Sequence, residues 1–283
     1  MDEYARLESS SQLTCLPQCA MCTTPQAKFR CIDCFADSLF CQTCLVSFHH
    51  REPFHQFQVP QLQPPSFFAS ADFLQQWTGT YFIQVSPRDL GAIFHLGHNY
   101  GRPCAIPSSS IPLVVFDLTG VHTINITYCE CLPGDSAIPA RVQLLRAQWF
   151  PATWKRPGTA FTFRLLNFLH KLHSICKVNM YDFHNAITAV SDNAGLAKPT
   201  VRVLRCPDIP GTSSHYPQFR YNELSLVFRV YVHLRQLRRG GCAHTPGRLS
   251  DLQEGALAVE CPACPHPGRN IDFSRKGTFT RPP

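Results

Sequence analysis

Eight residues near the N-terminus are spaced for metal binding: Cys19-x2-Cys22-x8-Cys31-x2-Cys34-x6-Cys41-x2-Cys44-x4-His49-x5-His55. A C-x2-C turn sets two sulfurs on one ion while its backbone N–H groups point at them. Eight thiolate and imidazole ligands suffice for two tetrahedral sites. Zinc suits this donor set because it accepts both ligand types without a geometric demand from its d electrons. The short intervals predict a cross-brace, with Cys19, Cys22, Cys41 and Cys44 on one ion and Cys31, Cys34, His49 and His55 on the other. Sequential pairing is the alternative that the spacing leaves open. Cys15 competes with Cys19, and His50 with His49, for their places in the string.

Four protein ligands on each ion leave no position for water or substrate, so the sites are expected to be structural. So short a segment holds little core, and metal binding would supply much of its folding free energy. The string resembles B-box and ZZ-type zinc modules more than a RING, whose histidine falls mid-string. That placement argues against a ubiquitin-ligase reading.

A third set lies further along. Cys129-x-Cys131 ends a strand-like run, where a spacing of two puts both thiols on one face. His98 and Cys104 precede it, and a hairpin could gather all four on a third ion. Buried free thiols and a core histidine are the competing reading. Near the C-terminus Cys261, Cys264 and His266 form half a knuckle, with Cys242 and His244 as possible partners, and no metal is assigned there.

The elements that must position these residues are short. With 24 prolines and 15 glycines, the chain predicts many loops. Residues 56–71 are rich in Pro, Gln and Ser and read as a linker. Ser86-Pro87-Arg88-Asp89 reads as a helix start, with a serine cap, proline at the first position and an acid in the first turn. A hairpin follows, Leu113–Leu118 and Val121–Tyr128 about a Thr119-Gly120 turn. From Thr159 the pattern becomes helical. Phe161–Val178 repeats apolar positions at Leu165, Phe168, Leu169 and Leu172, and Asn179–Val190 forms a second helix. A third carries Leu224, Val227, Phe228, Tyr231, Leu234 and Leu237 as one stripe, then stops at Gly240-Gly241 after basic residues. The fold class is therefore α+β: a zinc cross-brace over 15–58, a linker over 59–71, a hairpin-containing and then helical region over 72–270, and a divergent tail over 271–283.

Composition narrows the function. A hydrophobic fraction of 44% supports a real core. No run approaches the roughly 20 apolar residues of a membrane helix, so no membrane partner is expected. The first 30 residues lack an apolar core with a basic flank, so secretion is not expected. Fifteen cysteines in such a chain argue for metal rather than disulfides. Residues 141–239 hold 15 Lys and Arg against four acids, a net of +11, which suits a polyanion. Arg229, Arg235, Arg238 and Arg239 on the third helix are the candidate phosphate contacts. A solvated basic face with no ligand is the competing reading.

The residues also resemble one family: the CxC2-like cysteine-cluster region that precedes the catalytic domain of Kyakuja–Dileera–Zisupton (KDZ) transposases. The resemblance rests on CIDCFADSLFCQTCL from Cys31, HHREPFH from His49, WTGTYF from Trp77 and LGHNYGRPC from Leu96. It continues in DLTGVHTINITYCEC from Asp117, QLLRAQWFPATWKRPGTAFTFRLLNFLHKL from Gln143, YDFHNAI from Tyr181 and ECPACPHPGRN from Glu260. It implies zinc in the cluster, association with DNA and with other parts of a transposase, and a nuclear location. In the family a catalytic domain follows the CPACP element, whereas this sequence continues for about 20 residues past Cys264. No carboxylate set for two-metal strand transfer can be assigned, and a non-enzymatic role is the expectation. The function expected is a zinc-dependent DNA-binding or targeting region; the alternative is a zinc-dependent protein-interaction module.

Overall fold

The structure is a computed structural model that describes residues 18–25, 27–35, 38–61, 81–98, 102–132, 134–191, 220–241 and 257. Cys15, the tail cysteines and His266 lie outside these residues, as do 62–71 of the expected linker. The chain divides into two compact units, Met1–Arg229 and Val230–Pro283.

The first unit is α+β. Strands β1 (Arg30–Cys31), β2 (Phe57–Gln61) and β3 (Tyr81–Val85) form an antiparallel sheet in that order. Helix α1 (Gln42–Phe48) packs beside it. The Pro/Gln-rich stretch thus begins as a strand, because Phe57 is buried and β3 offers a full register of partners from Val85 to Tyr81. The small core here comprises Cys19, Ala27, Cys31, Phe40, Leu45, Phe57 and Leu90.

The second sheet has five strands in the order β4 (Ile93–His95), β6 (Gly120–Thr127), β5 (Ile111–Asp117), β8 (Thr159–Thr162) and β7 (Trp149–Pro151). The expected hairpin is β5–β6, paired from Ile111↔Ile126 to Asp117↔Gly120. Alternation explains it: Gly120, His122, Ile124 and Ile126 are buried while the residues between them are not. Gly120 has φ +124°, and a Cβ there would collide with Ser191 Oγ, so only glycine fits the turn exit. One face of the sheet carries Phe94, Leu113, Val115, Ile124, Ile126 and Trp149 with Leu144 of helix α2 (Ala140–Arg146). On the other, Phe116 stacks on Phe161 at 5.0 Å and meets His184 of helix α4 (Met180–Ser191).

Two helix expectations change. Ser86–Asp89 is a single hydrogen-bonded turn, with the Asp89 N–H donated to Ser86; Gly91 at φ +77° ends it before a second turn can form. Thr159–Thr162 is a strand, because Val114–Phe116 pairs with it and all four residues are buried. Helix α3 (Phe163–Cys176) starts only after Thr162, whose Oγ1 caps Leu165 N–H, and ends at Lys177 in the left-handed region. Its buried stripe is Leu165, Leu166 and Leu169, while Phe168 is exposed.

Helix α5 (Tyr221–Arg239) starts in the first unit, where Phe228 packs on His170 and His173, and continues into the second. Its stripe is as expected at Leu224, Val227, Phe228, Tyr231 and Leu237, but Leu234 is exposed. Gly241 at φ +76° follows its end. No helix among the described residues is long and apolar enough to cross a membrane.

Candidate metal centres

The twelve spaced ligands fall into three groups of four, each with its ligand atoms within 4.8 Å of one another. Cys19, Cys22, Cys41 and Cys44 form the first; Cys31, Cys34, His49 and His55 the second; His98, Cys104, Cys129 and Cys131 the third. The first two interleave along the chain, which is cross-brace and not sequential pairing.

Local structure explains each placement. The turn at Cys19–Thr24 is closed by the Cys19 N–H to Thr24 O and the Thr23 N–H to Cys19 O. Cys41 precedes α1 and Cys44 lies on its first turn, so the helix carries both sulfurs to the first group. Cys22 Sγ and Cys41 Sγ are 3.7 Å apart. That matches the edge of about 3.8 Å of a tetrahedron with zinc–sulfur bonds of about 2.3 Å. In the second group Cys34 Sγ lies 3.2 Å from His49 Nε2, and His55 Nδ1 lies 3.5 Å from both Cys31 Sγ and Cys34 Sγ. His49 Nδ1–H donates to Leu45 O at 2.8 Å, which leaves Nε2 as its metal-binding atom. His55 turns its other nitrogen to Glu52, 3.6 Å away. His50 is exposed and bonds to Ser47 O, so it does not replace His49.

The third group is assembled by β4 and β6, not by the hairpin alone. Parallel pairing of β4 with β6 carries Leu96–His98 alongside Thr127–Cys129, through the Leu96 N–H to Thr127 O. The segment holding Cys104 returns along the end of β6 by the Pro107–Cys129 bridge. Cys104 and Cys131 sulfurs are 3.1 Å apart, and His98 Nε2 is 3.6 Å from Cys131 Sγ. Gln143, fully buried on α2, was not foreseen: its amide donates to Cys129 O and Ile138 O and accepts the Cys129 N–H. Gly97, at φ +91°, lies so close that a Cβ would collide with Cys129 Cβ and press on the Gln143 amide. Nothing in the spacing marks either residue, since Gln143 acts through hydrogen bonds to distant backbone and Gly97 through shape.

Electrostatics favours a cation in each group. The four thiols of the first group, the two of the second and the three of the third cannot all ionise at this range without one, because like charges raise each other's pKa. Burial pushes Cys19 up, but N–H donors of Cys41, Cys22 and Met21 outweigh it and bring the thiol down to about 6. In the same group, thiols of Cys22 and Cys41 bonding to Cys44 push it up to about 12. Burial drives Cys31 up to about 12 and lowers His49. In the third group burial pushes Cys104 up, but bonds from Cys131 and His98 prevail and hold it near about 6. Ten described cysteines are free thiols, so disulfides do not compete for these ligands. The donor chemistry, four to a group with thiolate and imidazole only, fits zinc and excludes a hard-cation site.

The candidate phosphate contacts lie elsewhere. Arg229, Arg235, Arg238 and Arg239 are all exposed on α5. Arg235, Arg238 and Arg239 share one face at i, i+3 and i+4, with Arg235 6.0 Å from the Tyr231 ring.

Residues 88–195 match a family model, the CxC2 like cysteine cluster associated with KDZ transposases. The third group lies inside that span and the first two lie outside it. No curated protein and no solved structure matches the chain.

Proposed function

With residues 88–195 as a CxC2-type region, we propose that the chain is a zinc-organised, non-catalytic DNA-binding or targeting region of a KDZ-type transposase, acting in the nucleus. The observation that carries the metal part is the sorting of twelve ligands into three complete sets. The first two sets make a cross-braced module of B-box or ZZ type. Full coordination by protein leaves each zinc a structural role. DNA is the partner favoured by the exposed arginines of α5, three of them on one face. An α-helix with long basic side chains can hold phosphates without reading bases, so binding has little sequence preference.

Affinity for a random duplex is therefore expected to fall steeply between about 50 and 200 mM salt. Replacing Arg235, Arg238 and Arg239 with Ala should weaken all sequences alike and reduce the log–log salt slope by about 2.7, the loss of three phosphate contacts. Unchanged affinity in that variant removes α5 from the interface. A second reading, a protein-interaction module, is favoured by exposed apolar side chains around the first two groups: Met21, Ile32, Phe48 and the fully exposed Phe35. No duplex binding at low salt would select it.

A further inference from the structure

A cavity of about 700 Å³ opens between the second and third metal groups, bordered by His55 of one and His98 of the other. Three arginines line it, Arg51 from the turn after α1, Arg146 from α2 and Arg164 from α3. The single carboxylate on its wall among the described residues, Glu52, already faces His55. Arg146 is exposed on α2 and makes no ion pair among the described residues. Arg164 is fixed from behind: Asp117, fully buried, accepts from its Nε at 2.6 Å and from its Nη2. A guanidinium has five N–H donors, so this clamp leaves three for the cavity while locking the fork's orientation. The side chain of Arg164 remains 55% exposed, so those donors are within reach of a ligand. Trp149 and Phe163 supply an apolar wall.

We propose that this cavity binds a phosphate of a single-stranded nucleic-acid segment, with Arg146 and the clamped Arg164 as its donors. Guanidinium forks match the paired oxygens of a phosphate, which is why arginine predominates at such sites. The volume lies within the range of about 300–1,000 Å³ typical of sites for small ligands. A duplex keeps its bases paired and stacked inside, whereas a single strand can offer one phosphate with an adjoining base to an aromatic wall. The nature of the ligand rests on the DNA-binding reading above, but the site is distinct from the arginines of α5.

The test uses the zinc-loaded full chain and two labelled probes, a 12-nucleotide single strand and its duplex, read by fluorescence anisotropy. Arg146→Glu is expected to weaken single-strand binding by about tenfold or more, the worth of a charge-assisted hydrogen bond, and to leave duplex binding within about twofold. Arg146→Lys should retain more affinity than Arg146→Ala. The triple alanine variant of Arg235, Arg238 and Arg239 should show the opposite pattern. Single-strand affinity unchanged in Arg146→Glu, equal loss on both probes, or no single-strand binding by the parent chain would overturn the cavity proposal. Loss of single-strand binding in Arg146→Glu beside an unaffected triple variant would uphold the cavity and reject α5. Zinc content and melting temperature matching the parent establish that Arg146→Glu is folded; if they differ, Arg146→Ala gives the same reading.

Discussion

Stripping zinc from the reduced chain is expected to unfold residues 18–61 while the five-stranded sheet persists. The first sheet and α1 share a core of only seven buried residues, two of them cysteines of the candidate metal groups. Helix α1 has seven residues, far below the roughly 12–15 needed for a helix to hold in water by itself. Structural zinc supplies about 10–16 kcal/mol per site in small domains, more than such a core can replace. The second sheet differs, because Leu113, Val115, Ile124 and Ile126 belong to a core of eleven buried residues, ten of them outside 18–61. Without zinc it loses Phe54 from that core and the tether at His98, Cys104, Cys129 and Cys131, and keeps the other ten core residues. Limited trypsin digestion checks this. With metal, Arg30 is buried in β1 and resists cleavage; after chelation it should be cut rapidly, and zinc should restore protection. Backbone amides of β5 and β6 should stay protected throughout. Continued protection of Arg30 in the metal-free chain would mean that apolar packing alone folds the module.

Arg164→Leu is the point substitution with the largest expected cost outside the ligands, about 3 kcal/mol. Asp117 is fully buried, and Thr162 Oγ1, Thr119 N–H and Thr119 Oγ1 also donate to it. Removing the guanidinium leaves a buried carboxylate with neutral donors only, and three such bonds do not replace the ionic partner. At about 2–4 °C per kcal/mol for a chain of this size, the melting temperature should drop by about 6–12 °C. The pH dependence has a definite sign. Burial opposes ionisation of Asp117, but bonds from Arg164 and Thr162 outweigh it and hold the carboxyl below its ordinary value of 3.8. A depressed folded pKa contributes stability that is complete above the unfolded value and is lost as pH falls through the folded one. In Arg164→Leu the carboxyl rises, so this contribution fades at a higher pH than in the parent. Thermal melts at fixed excess zinc, at neutral and mildly acidic pH, measure both effects. A change below about 1 kcal/mol would mean that the threonines suffice.

The metal groups were legible because ligand chemistry is written in spacing. Three C-x2-C pairs mark six of the twelve residues, and the expected cross-braced grouping, to which sequential pairing was the alternative, is the one the fold brings together; the third set, read from Cys129-x-Cys131, had buried free thiols as its competitor. The hairpin and the stripe of α5 were legible for a similar reason, as periodicity reports a buried face. What escaped depends on distant partners. Phe57–Gln61 looks like a linker until β3 pairs with it. Thr159–Thr162 continues a helical pattern until β5 claims it. The Asp117–Arg164 clamp joins residues 47 apart, and Arg51 and Arg146 meet at one cavity only through the fold. Net charge registered Arg146 and Arg164 within a basic region but gave no hint that they would line one cavity with Arg51.

Elemental analysis of the purified, reduced chain tests the central claim most directly. It should be done in a background where Cys242, Cys261 and Cys264 are Ser, so that the C-terminal set contributes no thiols. Three closed four-ligand groups predict about three zinc ions per chain, falling to about two when Cys129 and Cys131 are replaced by Ser. About two zinc ions or fewer in the intact chain, with its thiols shown to be reduced, would contradict the account.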